Sequence, residues 1–422
     1  MATHLKRKVA VAMSGGVDSA VAAFLLKRNP SIEVVALHMT NWNPQDEENS
    51  PQGCLEKDMN DAEAVCQHLS LPLHKTSFAA EYWTGVFEPF VNEIAAGYTP
   101  NPDVRCNSVV KFGAMKNYAH DRLGVDCIAT GHYARLWNAK LEPLEEVELA
   151  MEKHRWLHAW NVNDNPLLLA AVDKTKDQSY FLAGVQGSNF RNVLFPLGDF
   201  MKNGDHTSVR SIARDAQLPN ASRRESMGIC FVGKRRFGSF ISQYLPSLPP
   251  SGKFLDVDTG EIVGQHAGSQ FYTVGQGAKI SGASQKWFVA GKDSNHNVLV
   301  CSGTHHPALY SNEMIIHAMV WIGGDIPQPL QNGGRLRLRC RVRHLQPLIP
   351  CEMKMVEGSF VVHSDCPVRA ITPGQMAVFY VGDVCLGGGN IAERGGSYHE
   401  LGLDLPTSLH PAGHNDLSVI TT

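Results

Sequence analysis

The sequence predicts an α/β protein in three parts: a parallel-sheet domain, then a small helical central domain, then a C-terminal antiparallel β-barrel. Three observations carry this reading. "VAVAMSGGVDSAVAAFLL", residues 9–26, joins an apolar run of strand length to a helical pattern through Ser14-Gly15-Gly16. Strand-like and helix-like stretches then alternate to about residue 136, as expected of a parallel sheet with crossover helices. From about residue 251 the texture changes to short strand-like runs separated by glycine and proline turns, the pattern of an antiparallel barrel.

The elements follow in order. "EVVALHMTNW" at 33–42 reads as a second strand, "NDAEAVCQHLSL" at 60–71 as a helix, and "DCIATGHYARL" at 126–136 as a strand ending in Gly131-His132. Ligands of a parallel sheet sit at the strands' carboxyl ends, where Met39, Gly131 and His132 fall. "TPNPDVRCN" at 99–107 cannot keep both Pro100 and Pro102 inside a helix, so it reads as a stiff loop fixing Asp103 relative to Cys106. "TSVRSIARDAQL" at 207–218 is helical and "PSLPPSGKF" at 246–254 a linker. The expected division is 1–205, 206–250, 251–400 and a tail at 401–422.

Composition narrows the class. At 422 residues the chain exceeds a single core. Its 43% hydrophobic and 19% charged residues describe an ordinary soluble globular protein. No apolar run approaches the roughly 18 residues of a membrane span. A formal charge of −3 leaves any nucleic-acid contact to a local basic patch. "MATHLKRK" runs straight into "VAVAM", which leaves no room for a secretory signal or a long transit peptide. Ten cysteines occur without a C-x-x-C, against a zinc ribbon or thioredoxin motif, and no metal site is expected among them. They are expected to be mostly thiols in a reducing compartment.

Two stretches carry chemistry. Glycines between a strand and a helix expose consecutive N–H groups at the helix N-terminus, a nest suited to a phosphate chain. Ser14 and Ser19 can add donors, and Asp18 can hold Mg2+ against the phosphates. No G-K-[ST] follows, so this is not a Walker loop. "RRESMGICFVGKRRFGSFI" at 223–241 sets Cys230 between Arg223, Arg224, Lys234, Arg235 and Arg236, cations that favour a thiolate. "RLRLRCRVRH" at 335–344 places Arg335, Arg337, Arg339, Arg341 and Arg343 at period two, one basic strand face suited to phosphates. The bland reading of that face is a solubilising surface.

The string S-G-G-V-D-S resembles the loop of the ATP-pyrophosphatase (adenine nucleotide alpha-hydrolase-like) superfamily. SGGVDS, TPNPDVRCN, ATGHYAR, KDQSYFL, ESMGICFVGKR and TPGQMAVFYVGDVCLGGG stand in the order found in tRNA-specific 2-thiouridylases. "HPALY" at 306–310 and "RVRHLQPLIPC" at 341–351 are similar to the mitochondrial branch, which implies a mitochondrial location, with the cytoplasm as alternative.

The resemblance implies ATP-dependent thiolation of the wobble uridine in lysine, glutamine and glutamate tRNAs, with Mg2+ and ATP. The 2-oxygen would be adenylylated and then replaced by sulfur, with AMP and pyrophosphate released. It implies Ala12, Met13, Ser14, Gly15, Gly16, Val17, Asp18, Ser19, Met39 and Gly131 as ATP-binding residues, in the domain 1–205. Cys230, on a segment 219–236 returning to the active site, would carry sulfur as a persulfide from a donor protein. Cys106 would attack that persulfide to free sulfide, or form a disulfide with Cys230 as the sulfur–carbon bond is made. Asp103 would handle protons, and Asn101, Pro102 and Asp103 would border a flipped-out uridine. His132, Lys176, Asp177, Gln178, Arg343, His344 and Gln375 would contact tRNA, and 206–250 would be a tRNA-binding centre of a monomer.

Two features depart from the family's pattern. Gly277 stands where an arginine is common, and residues 138–168 form a longer, acidic insert. Competing classes are an amidating synthetase, which needs the loop but tolerates serine at 106 and 230; a tRNA-binding module without catalysis; and an iron–sulfur thiolase using Cys106, Cys230 and Asp103.

Overall fold

The computed structural model describes residues 6–42, 52–137, 165–224, 231–233, 235–247 and 249–409. Cys230, the core of the insert and the last residues of the tail lie outside them. The N-terminal part is a parallel sheet of β1 (Arg7–Ala12), β2 (Ile32–Thr40), β3 (Leu73–Ser77), β4 (Cys127–Ala129) and β7 (Val193–Leu194), in the order β3-β2-β1-β4-β7. β1 is central, with Val9 opposite Val34 on one side and Cys127 on the other. Both faces of β1 are covered, so it is an unbroken apolar run rather than an alternating one. Val9 and Val11 pack with Ala20 and Val21 of helix α1 (Val17–Lys27), and Ala10 enters the opposite core with Phe87 and Phe112.

The run 126–136, expected as one strand, is two. β4 ends at Ala129, and after Gly131-His132 the chain enters β5 (Ala134–Trp137), which pairs antiparallel with β6 (Leu167–Ala170). That hairpin leaves the parallel sheet and extends the C-terminal one through Leu169 opposite Val384 and Leu168 opposite Cys385.

The three-part plan holds, with its centre built from strands. β8 (Gly252–Asp256), β9 (Ile262–His266), β10 (Gly277–Ala278), β11 (Trp287–Lys292) and β12 (Val298–Ser302) form a sheet of their own, ordered β10-β11-β12-β8-β9. The stretch 251–400, read as one barrel, therefore divides. Helix Val209–Asp215 does not belong to a central unit: Val209 and Ala213 sit in the core beside α1. Sequence spacing could not separate two successive sheets of similar strand length.

The closed barrel consists of β13 (Tyr310–Trp321), β14 (Arg335–Arg341), β15 (Ile349–Val356), β16 (Ser359–Arg369), β17 (Met376–Val381) and β18 (Val384–Arg394). They run β13-β16-β15-β14-β17-β18, and β13 pairs with β18 to close the ring. Asp383, in the β17–β18 turn, clamps the β5–β6 hairpin and the segment after it: its carboxylate accepts from Arg135 Nη2 at 2.6 Å and Lys174 Nζ at 2.8 Å. Tyr180 donates to the carbonyl of Met376 at 2.8 Å from a fully buried position. Barrel and sheet domain thus share hydrogen bonds as well as a core.

Candidate active site

The glycine turn after β1 is built as a cradle. Ser19 Oγ donates to the Gly16 carbonyl at 2.9 Å and accepts from the Ser14 N–H at 3.3 Å, closing the turn on itself. Gly16 caps α1 without a side chain over the helix N-terminus. Gly15 has φ +79, and a Cβ there would lie 2.3 Å from the Asp58 carbonyl oxygen, so only glycine fits. Its own carbonyl is held by Asn220 Nδ2 at 2.7 Å and Arg223 Nη1 at 3.2 Å. Arg223 is flanked by Asp58 and Asp61, whose carboxylates raise its pKa against the cost of burial. Asp18 Oδ1 accepts from Tyr133 Oη at 2.9 Å and from Lys202 Nζ at 2.5 Å. Ala12 ends β1, Met13 donates to the Leu37 carbonyl at 2.9 Å, and Met39 lies at the carboxyl end of β2.

The stretch read as a stiff loop is in fact the start of a helix. Pro102 takes the first helical position, where its missing N–H costs nothing, and the Asn101 side chain accepts from the Asp103 N–H at 3.1 Å. Pro100 stays outside, so the proline rule was satisfied by the helix boundary rather than by a loop. Residues 106–115 continue as a π-helix before α-helix resumes at Lys116–Leu123. Such wide turns are rare and concentrate at functional sites. Cys106 is buried at 7% exposure, and Asn107 Nδ2 donates to the Phe181 carbonyl at 3.0 Å.

Between the cradle and this helix lies His132. Lys111 can only donate, so its ammonium at 3.4 Å meets an unprotonated Nε2, and Nδ1–H donates to Thr130 Oγ1 at 2.7 Å. Burial, reinforced by the Lys111 charge, holds the imidazole well below its ordinary pKa and therefore neutral. Asp103 keeps contact with solvent. Loss of surrounding water raises its carboxyl above the usual range, and Lys111 and His344 oppose that rise. His344 Nε2 donates to the Asp177 carbonyl at 2.9 Å, and its ring lies 4.4 Å from Phe181. Burial lowers the His344 pKa despite the Asp177 carbonyl and the Asp103 charge.

Residues 7–234 match the family described as tRNA methyl transferase HUP domain, 238–303 its PRC-barrel domain, and 311–391 the aminomethyltransferase beta-barrel domain. The chain is 40% identical to Mitochondrial tRNA-specific 2-thiouridylase 1 of Homo sapiens, over 94% of this chain and 92% of that one. The same enzyme of Mus musculus is 40% identical over 94% and 93%, and tRNA-specific 2-thiouridylase MnmA of Haemophilus influenzae (strain PittGG) 40% over 93% and 95%. The chain belongs to the tRNA-specific 2-thiouridylase family. It is a tRNA-uridine 2-sulfurtransferase, and the nucleotide cradle fits its HUP domain. No helix among the described residues is long and apolar enough to cross a membrane.

Within this thiouridylase the residues expected to touch tRNA divide. Lys176 and Gln178 are half-buried, and Gln178 Oε1 accepts from the Tyr133 N–H at 2.9 Å. Asp177 is fully buried: its carboxylate accepts from the Ala171 and Ser179 N–H groups at 3.1 Å and pairs with Arg341 at 3.2 Å. It orients Arg341 and, through its carbonyl, His344, so its side chain offers no surface for RNA. Arg343 donates to the Val274 carbonyl at 2.6 Å, and Gln375 Nε2 to the Thr99 carbonyl at 2.6 Å.

The five-arginine face is also largely spoken for. Alternation holds along β14, but Arg335 pairs with Glu352, Arg337 with Asp365, and Arg341 lies buried over the Tyr380 ring. Acidic partners on neighbouring strands are invisible in the arginine spacing itself. Lys111, Tyr133 and Lys202 were not singled out by the sequence reading: Tyr133 stands in ATGHYAR but was given no role, Lys111 and Lys202 lie outside the quoted motifs, and only the fold brings the three to the site. Cys230 and its persulfide role lie outside the described residues. Its neighbours Phe231 and Val232 are buried, Phe231 in an aromatic cluster with Trp42, Tyr82 and Phe87. No group of three or more metal-ligating side chains occurs among the described residues.

Proposed function

We propose that this thiouridylase activates the 2-oxygen of a wobble uridine with ATP and then replaces it with sulfur carried as a persulfide on Cys230. The observation that carries the reading is the pair Gly131-His132. A Cβ on Gly131 would lie 2.8 Å from the main chain of Asp18 and Ser19, while His132 stands 3.4 Å from Lys111 on the Asp103–Cys106 helix. Two successive residues therefore join the phosphate cradle to the proposed base site.

The residues fit ATP: the Gly15–Gly16 cradle and bare helix N-terminus suit phosphates, and Asp18 suits Mg2+. ATP supplies a good leaving group, because adenylate departs where a ring carbonyl oxygen does not. Asn101, Pro102 and Asp103 border the flipped base, and His132, Lys176, Gln178, Arg343, His344 and Gln375 hold the tRNA around it. Asp103, whose pKa is raised by loss of surrounding water, takes or returns the proton. The Cys230 persulfide attacks C2 and AMP leaves. Cys106 thiolate then attacks the Cys230 sulfur, forming a Cys106–Cys230 disulfide and leaving the sulfur on the uridine. A thiol reductant restores both cysteines. Alternatively Cys106 attacks the persulfide first and frees sulfide as the nucleophile. The mitochondrial relatives favour a mitochondrial setting, with the cytoplasm as alternative, and the enzyme acts as a monomer served by a persulfide-donating protein.

The test is to incubate the protein with unmodified tRNA, ATP, magnesium and sulfide, and read thiolation by retardation in a mercury-containing gel. A retarded band that needs ATP and disappears in Cys106→Ser supports the reading, and partial rescue of Cys230→Ser by free sulfide marks the carrier. AMP release without retardation would mean that the substrate is wrong.

A further inference from the structure

Among the described residues, Leu345 is the one large apolar side chain that is both exposed and on a left-handed backbone, 45% exposed with φ +61. The other residues besides glycine at positive φ are polar, such as Asn192, Gln217 and Glu357, or alanine, at Ala318 and Ala370. A left-handed backbone crowds a side chain, and glycine or asparagine is its ordinary occupant. Leu345 therefore bears backbone strain and sets an aliphatic group in water. It belongs to none of the hydrophobic clusters of the described residues, so packing offers little in return for either cost.

The turn that carries it is held firmly. The Gln346 N–H donates to the Arg343 carbonyl at 3.2 Å, closing residues 343–346, and Gln346 Oε1 accepts from the Val342 N–H at 3.2 Å. Arg343 Nη2 donates to the Val274 carbonyl at 2.6 Å, and His344 Nε2 to the Asp177 carbonyl at 2.9 Å. Arg343, His344 and Gln346 are thus tied to the protein by their side chains, and Leu345 is presented to solvent. What lies beside it is the proposed base site. The His344 ring packs 4.4 Å from Phe181, and His344 stands near enough to Asp103 to act on its carboxyl. An apolar group strained into place there suits the face of a nucleobase better than it suits water.

We propose that Leu345 is a wedge for the RNA. It packs against a base that neighbours the wobble uridine and fills the gap in the stack left when that uridine turns out toward Asp103. Covering the exposed face of the neighbour offsets part of the cost of unstacking, so the extruded state is favoured. An aliphatic group offers no hydrogen bond, so the wedge accepts any neighbouring base. The proposal rests on the reading of the Asp103 site as the receiver of the uridine.

The test is equilibrium binding of full-length tRNA to wild type, Leu345→Gly and Leu345→Met, with the nucleotides flanking the wobble uridine either intact or abasic. Leu345→Gly relieves the left-handed strain, so its denaturation midpoint should equal or exceed that of wild type. It should bind intact tRNA about 10-fold more weakly, the scale of one lost base-stacking contact. Leu345→Met, which keeps an apolar side chain of similar volume, should stay within about 3-fold of wild type. With abasic flanks the wedge has no base to meet, and wild type and Leu345→Gly should agree within about 2-fold. An equal loss on both RNAs would assign Leu345 to the shape of the turn and overturn the proposal. Unchanged affinity for intact tRNA overturns it too, and leaves the leucine to a protein partner. Thiolation of the intact tRNA by wild type in the mercury gel is the control, and its absence would defeat the base reading itself.

Discussion

Gly374 offers the sharpest test of how the barrel governs the helix bearing Asp103 and Cys106. It has φ +90, and a Cβ there would lie 2.7 Å from Thr99 N, 2.9 Å from Tyr98 Cβ and 3.1 Å from Thr99 C. Ordinary contact begins at 3.4 Å, and the nearest obstacle is backbone, so Gly374→Ala must push 98–99 back by several tenths of an ångström. Two bonds pin that segment: Thr99 N to the Pro373 carbonyl at 3.0 Å, and Gln375 Nε2 to the Thr99 carbonyl at 2.6 Å. The substitution carries ~1–2 kcal/mol of left-handed strain and weakens two bonds of ~1 kcal/mol each. Gly97 supplies the control, with φ +89 but nothing within 4 Å of a built Cβ. Gly97→Ala bears the strain without the collision. Because Thr99 leads into Asp103 and Cys106, misplacement approaching 1 Å should lower kcat for thiolation by ~10–100-fold in Gly374→Ala. Gly97→Ala should stay within ~3-fold of wild type. Initial rates by mercury gel, with ATP affinity measured separately and expected unchanged, decide it. Equal rates in the two variants would refute the idea that the 373–375 turn sets the position of the Asp103–Cys106 helix.

Lys111→Met removes a charge that restrains Asp103, so the Asp103 pKa rises further and the limb of the pH–rate profile that it controls moves to higher pH; an unmoved limb removes Asp103 from that role. His132 is held neutral by burial, so the unfolded chain takes up its proton first as pH falls. Stability from this group is complete above the ordinary histidine pKa of about 6.5 and declines below it. Denaturant midpoints should therefore fall more steeply below that pH in wild type than in His132→Gln. Asp383→Ala deprives the buried Arg135 and the exposed Lys174 of a shared carboxylate. It should destabilise the hairpin–barrel junction by ~1.5–3 kcal/mol, read as faster hydrogen exchange at β5 and β6.

Local features of the sequence carried the fold a long way. The β1–cradle–α1 unit was legible because a continuous apolar strand, two glycines and an amphipathic helix are each written in adjacent residues. The Asp103–Cys106 relation was legible too, although its support was misread: Pro102 both forbids a helix interior and favours a helix start, and only the Asn101 cap distinguishes the two. Asp177 shows the opposite limit. Its place in a motif says nothing about burial, which depends on Arg341 arriving from β14. Lys202 and Tyr133 were illegible because their partner, Asp18, is far away along the chain.

These misses share a cause with the way the molecule works. His344 and Gln375 belong to the barrel domain, yet the first stands close enough to influence Asp103 and the second binds the main chain four residues before it. The hairpin β5–β6, which follows directly from His132, is a continuation of the barrel sheet. The helix bearing Asp103 and Cys106 is therefore positioned from two directions, by the nucleotide cradle through Gly131-His132 and by the barrel through 373–375 and His344. A barrel displaced by a badly seated tRNA would disturb the same helix that the cradle supports. The position of the barrel and the placement of the Asp103–Cys106 helix are one structural condition, enforced by packing.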